Sequence, residues 1–123
     1  MDFIATKNAP HAIGPYSQAV RAGNVLYLSG QIPLDPANGN LVPGDFATQA
    51  RRVFENLKAV LTEAHSDFSR VVKATVYLTD LADFQTLNSI YSEYFGEHKP
   101  ARTTVGVSQL PRGSKVEIHL VAV

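Results

Sequence analysis

The run Val71-Val72-Lys73-Ala74-Thr75-Val76-Tyr77-Leu78 is rich in β-branched residues and carries Lys73 and Thr75 on alternate positions. That pattern predicts a strand with one wetter face. Directly after it the period changes. Leu81, Phe84, Leu87, Ile90, Tyr91, Tyr94 and Phe95 recur at three- and four-residue steps, the apolar stripe of an amphipathic helix. Asp80 is placed to cap that helix and Gly96 to end it. Pro100 bars continuation, so Ala101 to Val107 and Ser114 to Val123 read as closing strands, joined through Leu110-Pro111-Arg112-Gly113.

Upstream, Phe46, Ala50, Val53, Phe54, Leu57, Val60, Leu61 and Ala64 form a second helical stripe, with Asp45 as its N-cap. Gln49, Arg52, Glu55, Lys58 and Glu63 fall opposite and read as a solvated face. Asp35-Pro36-Ala37-Asn38-Gly39 is a turn, because proline fixes φ and Asn-Gly tolerates positive φ. Gln18 to Arg21 and Val25 to Leu28 read as a hairpin around Ala22-Gly23-Asn24, its second strand stopping at Ser29-Gly30. Asn8 to Tyr16, punctuated by two prolines and a glycine, reads as an ordered loop after a short strand near Phe3.

The expected order is therefore β-β-α-β-α-β-β with one extra short strand at the start. It forms a single domain over residues 1–123, an α+β two-layer sandwich with both helices on one face of a mixed sheet. Strands such as Val25-Leu26-Tyr27-Leu28 are apolar on both sides, so burial of the other sheet face against further subunits is expected.

Composition narrows the chemistry. Eleven basic and eleven acidic side chains balance, which argues against a phosphate-rich nucleic-acid partner. There is no cysteine, which removes disulfides, thiolate metal sites and a thiol nucleophile together. The start of the chain shows neither a secretory signal nor a membrane span, so a soluble cytoplasmic protein, or one within an organelle such as the mitochondrion, is expected.

The closing strands carry two charges that alternation does not require, Arg102 and Glu117. If Gln109 pairs with Ser114, Gly106 faces Glu117 and Thr104 faces His119. Arg102, Thr104, Glu117 and His119 then share one polar face, with Arg102 and Glu117 roughly 13 Å apart at about 3.3 Å per residue. At that separation they flank a small ligand, or a neighbouring subunit completes the site. A one-residue slip would send one set to the opposite face.

Each charge also has a structural reading, as an arginine or a glutamate held in an ion pair. Functionally, a guanidinium fork grips a carboxylate bidentately, and a carboxylate in a restricted site orients or deprotonates water. Tyr16 covers a loop or stands over a pocket. Ser29-Gly30 is a chain reversal or a place where backbone N–H groups approach an anion. Asn88 is a helix-surface amide or a ligand contact. His11, His65, His98 and His119 lack metal-ligand spacing, and neither a serine elbow nor a phosphate-binding glycine loop is present.

Ile13-Gly14-Pro15-Tyr16-Ser17-Gln18-Ala19-Val20, Leu28-Ser29-Gly30-Gln31-Ile32, Val71 to Leu78, Pro100-Ala101-Arg102 and Val116-Glu117-Ile118 together resemble the RidA/YjgF family. The blocks occur in the family's order over nearly the whole chain. The resemblance implies a chorismate-mutase-like subunit in a homotrimer, with three sites between subunits. It implies hydrolysis of reactive enamines and imines, such as 2-aminoacrylate and 2-aminocrotonate released by pyridoxal-phosphate enzymes, to 2-keto acids and ammonia, without metal or cofactor.

By the same resemblance Arg102 binds the substrate carboxylate and Glu117 holds the attacking water, while Tyr16, Ser29, Gly30 and Asn88 line the cleft. Thr104 stands where some bacterial members have cysteine, His119 where a second glutamate often occurs, and His65 where glycine commonly follows the first helix. Two other classes of function stay open at this point. One is an endoribonuclease or translation inhibitor; the other is a ligand-binding or chaperone-like trimer without turnover.

Overall fold

The computed structural model describes residues 1–123 as β1 (Asp2–Ile4), β2 (Ala19–Ala22), β3 (Val25–Gln31), α1 (Phe46–Glu63), β4 (Val71–Leu78), α2 (Phe84–Phe95), β5 (Ala101–Gly106) and β6 (Val116–Ala122). The strands form one sheet in the order β1-β2-β3-β6-β4-β5, in which only β4 and β5 run parallel. Element order and fold class are as the periodicities indicate. No helix is long and apolar enough to cross a membrane.

The closing strands depart from expectation. β5 and β6 form no hairpin, because β4 lies between them. The helix between β4 and β5 makes a crossover, which returns the chain parallel to β4 and leaves β5 at the sheet edge. The 107–115 connection then passes over the end of β4, held by Val107 N–H on the Leu78 carbonyl (2.8 Å) and Thr79 N–H on the Lys115 carbonyl (3.3 Å). β6 enters between β3 and β4.

This placement reverses the parity. Arg102 pairs with Ala74, which pairs with Leu120, and Thr104 pairs with Val76, which pairs with Ile118. Glu117 pairs with Tyr77 and His119 with Thr75. Directly opposed residues share a face. Arg102 and Thr104 therefore lie on the helix-covered side, and Glu117 and His119 on the open side.

Both helices bury their stripes against the same face, over Leu26, Leu28, Ala74, Val76, Ile118 and Leu120. Phe54 of α1 stacks on Tyr94 of α2 at 4.8 Å, which locks the two helices together, and within α2 Phe95 stacks on Tyr91 at 4.3 Å. Asp45 caps α1, its side chain accepting from Thr48 N–H at 3.0 Å. Asp80 caps instead a short 3-10 turn, Leu81–Asp83, that precedes α2, and Leu81 and Phe84 stay exposed. Gln49 is a further correction. It is only 4% exposed, and its side-chain oxygen accepts the Lys115 N–H at 3.0 Å, pinning the end of the 107–115 connection. The open face leaves Phe3, Tyr27 and Val105 exposed at 71%, 52% and 38%.

His65 marks a local cost. It has φ 58°, and the helix closes through His65 N–H to the Thr62 carbonyl (3.0 Å) and Ser66 N–H to the Leu61 carbonyl (2.8 Å). That is a closure for which glycine is favoured. His65→Gly is expected to raise unfolding free energy by about 0.5–1 kcal/mol, because relief of the Cβ clash outweighs glycine's extra unfolded freedom. Urea unfolding measures this; a lowered midpoint would mean that the imidazole compensates the strain.

Candidate active site

The open side of the sheet carries one half of the site. Between Leu28 and Gln31 the register of β3 slips by one residue against β6, so β3 does not stop at Ser29-Gly30 but bulges there. Ser29 is tied down by its N–H on the Gln18 carbonyl (2.9 Å) and its hydroxyl on the Ser17 carbonyl (2.6 Å). Gly30 is then required by close approach. A Cβ there would collide with Glu117 Oε2 and lie 3.0 Å from its Cδ. The bare backbone is the seat of the carboxylate.

The Asn8 to Tyr16 loop forms the facing wall, and a buried glutamine holds it. Gln18 accepts the Thr6 N–H at 2.7 Å and donates to the Pro10 carbonyl at 2.8 Å and the Thr6 carbonyl at 3.1 Å. Tyr16, Ser29, Gly30, Gln31, Arg112 and Glu117 line a cavity of about 550 Å³. Arg112 donates to the Gly39 carbonyl at 2.9 Å, which fixes the Pro111–Gly113 turn at its rim. Burial pushes the Glu117 carboxyl above its ordinary range, and the nearby His119 partly offsets this.

Arg102 organises the other half, at the edge of the sheet. Its guanidinium carbon lies 4.8 Å from the Tyr91 ring centre and 5.6 Å from that of Phe84. Stacking holds the plane while leaving the N–H fork free. The Tyr91 hydroxyl and Thr104 Oγ1 are buried without a hydrogen-bond partner. Burial raises the Tyr91 phenol, with Arg102 pulling the other way. Tyr91, Ser92, His98, Lys99 and Arg102 border a smaller cavity of about 210 Å³. Asn88 lies one turn from both Phe84 and Tyr91 on α2.

The structure thus brings Tyr16, Ser29, Gly30 and Glu117 together, and Arg102 beside Thr104 and the Asn88 face of α2. It does not bring the two groups together within one chain. The ion-pair readings also fall away. Arg51–Glu93, at 2.9 Å and well exposed, is the one salt bridge, and neither Arg102 nor Glu117 belongs to any. Gln18 and Tyr91 also border the two cavities, and the sequence reading singled out neither as such. Tyr91 sits in an apolar stripe and reads as core; its spacing of seven from Phe84 was the available signal.

A family model described as endoribonuclease L-PSP matches residues 6–123. A 2-iminobutanoate/2-iminopropanoate deaminase from Mus musculus is 51% identical over 120 residues, 98% of this chain and 89% of that protein. A solved structure from Thermotoga maritima superposes with TM-score 0.98 at 50% identity, covering 100% of this chain and 97% of the other. A conserved Rid family protein from Yersinia pestis superposes with TM-score 0.96 at 47% identity, covering 98% and 97%.

Proposed function

The chain belongs to the RidA/YjgF family, whose model carries the description endoribonuclease L-PSP, and from that membership and the site's geometry we propose that it hydrolyses 2-imino acids to 2-keto acids and ammonia. One observation carries the reading. A carboxylate without an ion-pair partner, Glu117, rests on Gly30 in an open cavity, while a stacked and equally unpaired guanidinium, Arg102, waits on the other side of the sheet. Because no single chain joins them, the working site lies between subunits. Arg102 comes from one and Tyr16, Ser29, Gly30 and Glu117 from the next, in a homotrimer that also covers the apolar open face.

The reaction follows from these groups. An enamine acid tautomerises to the 2-imine, whose C2 is electrophilic once its nitrogen is protonated. Arg102 grips the carboxylate in a bidentate fork. Glu117 orients a water, takes its proton as oxygen bonds to C2, and returns that proton to the nitrogen. Glu117, ionised again, takes the remaining hydroxyl proton of the adduct as the carbonyl forms and ammonia leaves with the electron pair of the C–N bond. That proton passes to the departing ammonia as ammonium. Tyr16 and the Ser29 oxygen border the water-binding space. This chemistry draws on the chain's own residues throughout.

The endoribonuclease reading finds a single acid at this cavity and a chain whose eleven basic side chains are matched by eleven acidic ones. A backbone-binding surface needs a cationic track. The decisive experiment adds purified protein to a pyridoxal-phosphate threonine dehydratase at work. Faster release of ammonia and 2-ketobutyrate is expected, and an unaltered rate would refute the deaminase reading.

Gly30→Ala tests the seat of the carboxylate. The methyl group displaces the mobile end of Glu117, so kcat/KM is expected to fall about 10- to 100-fold while the urea midpoint moves little. Wild-type kinetics from this variant would show that Glu117 works from another position.

A further inference from the structure

We infer that His119 is a positioning residue for this reaction, an imidazole held beside Glu117 that keeps the water-holding carboxylate ionised as the medium turns acid. The inference rests on the deaminase reading and adds to it a residue that acts through Glu117.

Geometry carries the argument. Glu117 and His119 are two apart on β6, hence on one face and about 6.6 Å apart along the strand. Tyr77, the direct cross-strand partner of Glu117, meets the His119 ring edge-on at 5.8 Å and 73°. His119 also faces the bulge in β3 that seats Glu117, since Leu28 pairs with Leu120 and Gln31 with Ile118. The imidazole is thus enclosed by the same two strands that fix the carboxylate. It is half-buried, and no side-chain hydrogen bond engages its nitrogens.

The other titratable groups of the same chain around this pair are accounted for, and across the proposed interface the Arg102 guanidinium faces the same carboxylate in all the variants compared below. From β4 come Tyr77 and Lys73, whose ammonium donates to the Thr103 hydroxyl at 2.7 Å. From β3 comes Tyr27, opposite Val121. His11, Tyr16 and Arg112 border the cavity from the loops. β5 presents only Ala101, Thr103 and Val105 on this side. Within its own chain, His119 is the charge-bearing neighbour that acts on the Glu117 carboxyl, opposing the effect of burial. An imidazole can carry a positive charge, and a cation at this place acts on the carboxyl two residues away. The positive charge favours the carboxylate and delays its protonation.

A charge series separates this role from mere packing. His119→Gln removes the cation and His119→Glu substitutes an anion. The acid limb of kcat/KM, read against each variant's own alkaline plateau, is expected to move up by about 0.5 to 1 pH unit for glutamine and further for glutamate. In parallel, NMR of protein labelled with 13C at the glutamate carboxyls follows the Glu117 midpoint, assigned by its loss in Glu117→Gln. The same order, histidine below glutamine below glutamate, is expected there. Limbs and midpoints that coincide in all three proteins overturn the inference. If the wild-type protein turns over no imine, the deaminase reading fails alone, and the carboxyl midpoints still decide the role of His119.

Discussion

Arg102→Lys is expected to lower kcat/KM for 2-iminobutanoate hydrolysis about 100-fold, almost as far as Arg102→Ala, because the charge alone is not what the site uses. The guanidinium is held flat against Tyr91 and Phe84, at 4.8 and 5.6 Å from their ring centres. That stacking restrains the guanidinium plane, and the proposed role asks its two parallel N–H groups to meet a carboxylate. Lysine offers one ammonium, no plane to stack and a flexible stem. The loss corresponds to about 2.7 kcal/mol of transition-state stabilisation, in the range of a charge-assisted bidentate contact. Stability is expected to fall by no more than about 1 kcal/mol in either variant, the size of a partly exposed cation–π contact. Coupled ammonia release measures the first effect and urea unfolding the second. A lysine variant with near wild-type kinetics would show that Arg102 contributes only charge.

Glu117→Gln is expected to cost about 100- to 1,000-fold in kcat, the usual contribution of a positioned general base, with a smaller change in KM. Glutamine fills the same space over Gly30 and still orients a water, but it accepts no proton. The pH profile of the wild type carries a second sign of the same group. The carboxylate is the working form, and burial moves its folded pKa above the ordinary 4.5. Activity is therefore expected to fall as pH drops through that raised value.

Stability runs the other way. A carboxyl with a raised folded pKa disfavours the folded state above that pKa, and the penalty disappears as pH falls through it. Glu117→Gln removes the penalty, so at neutral pH it is expected to leave the urea midpoint unchanged or raise it. A large loss of stability in this variant would mean that Glu117 is a structural anchor.

Most elements were legible because their signals are local. The alternation of Val71–Leu78, the stripe from Phe46 to Leu61 and the Asp45 cap each depend on residues within a few positions of one another. What failed was long-range. Alternation tells which residues of β6 share a side, but not that β6 would enter between β3 and β4 and not pair with β5. From that one displacement Arg102 and Glu117 came to lie on opposite faces.

The bulge at Ser29-Gly30 was hidden for a similar reason, since an extra residue in a ladder exists only relative to the partner strand. Gln49 misled because a buried amide and a solvated one look alike in sequence; only its bond from the Lys115 N–H, at the end of the 107–115 connection, distinguishes them. Arg102, Glu117, Tyr16, Ser29 and Gly30 stood out one by one, and a site completed by a neighbouring subunit was one of the two arrangements open. Only the strand order decides that Arg102 and Glu117 lie on opposite faces of the sheet.

That division is tested most directly by mixing two crippled proteins. Arg102→Ala and Glu117→Gln chains, unfolded together in equal amounts and refolded, give trimers in which roughly one interface in four joins an intact Arg102 to an intact Glu117. The expected result is recovery of roughly a quarter of wild-type deaminase activity from two nearly inactive parents. A refolded mixture no more active than its parents would contradict a site shared between subunits.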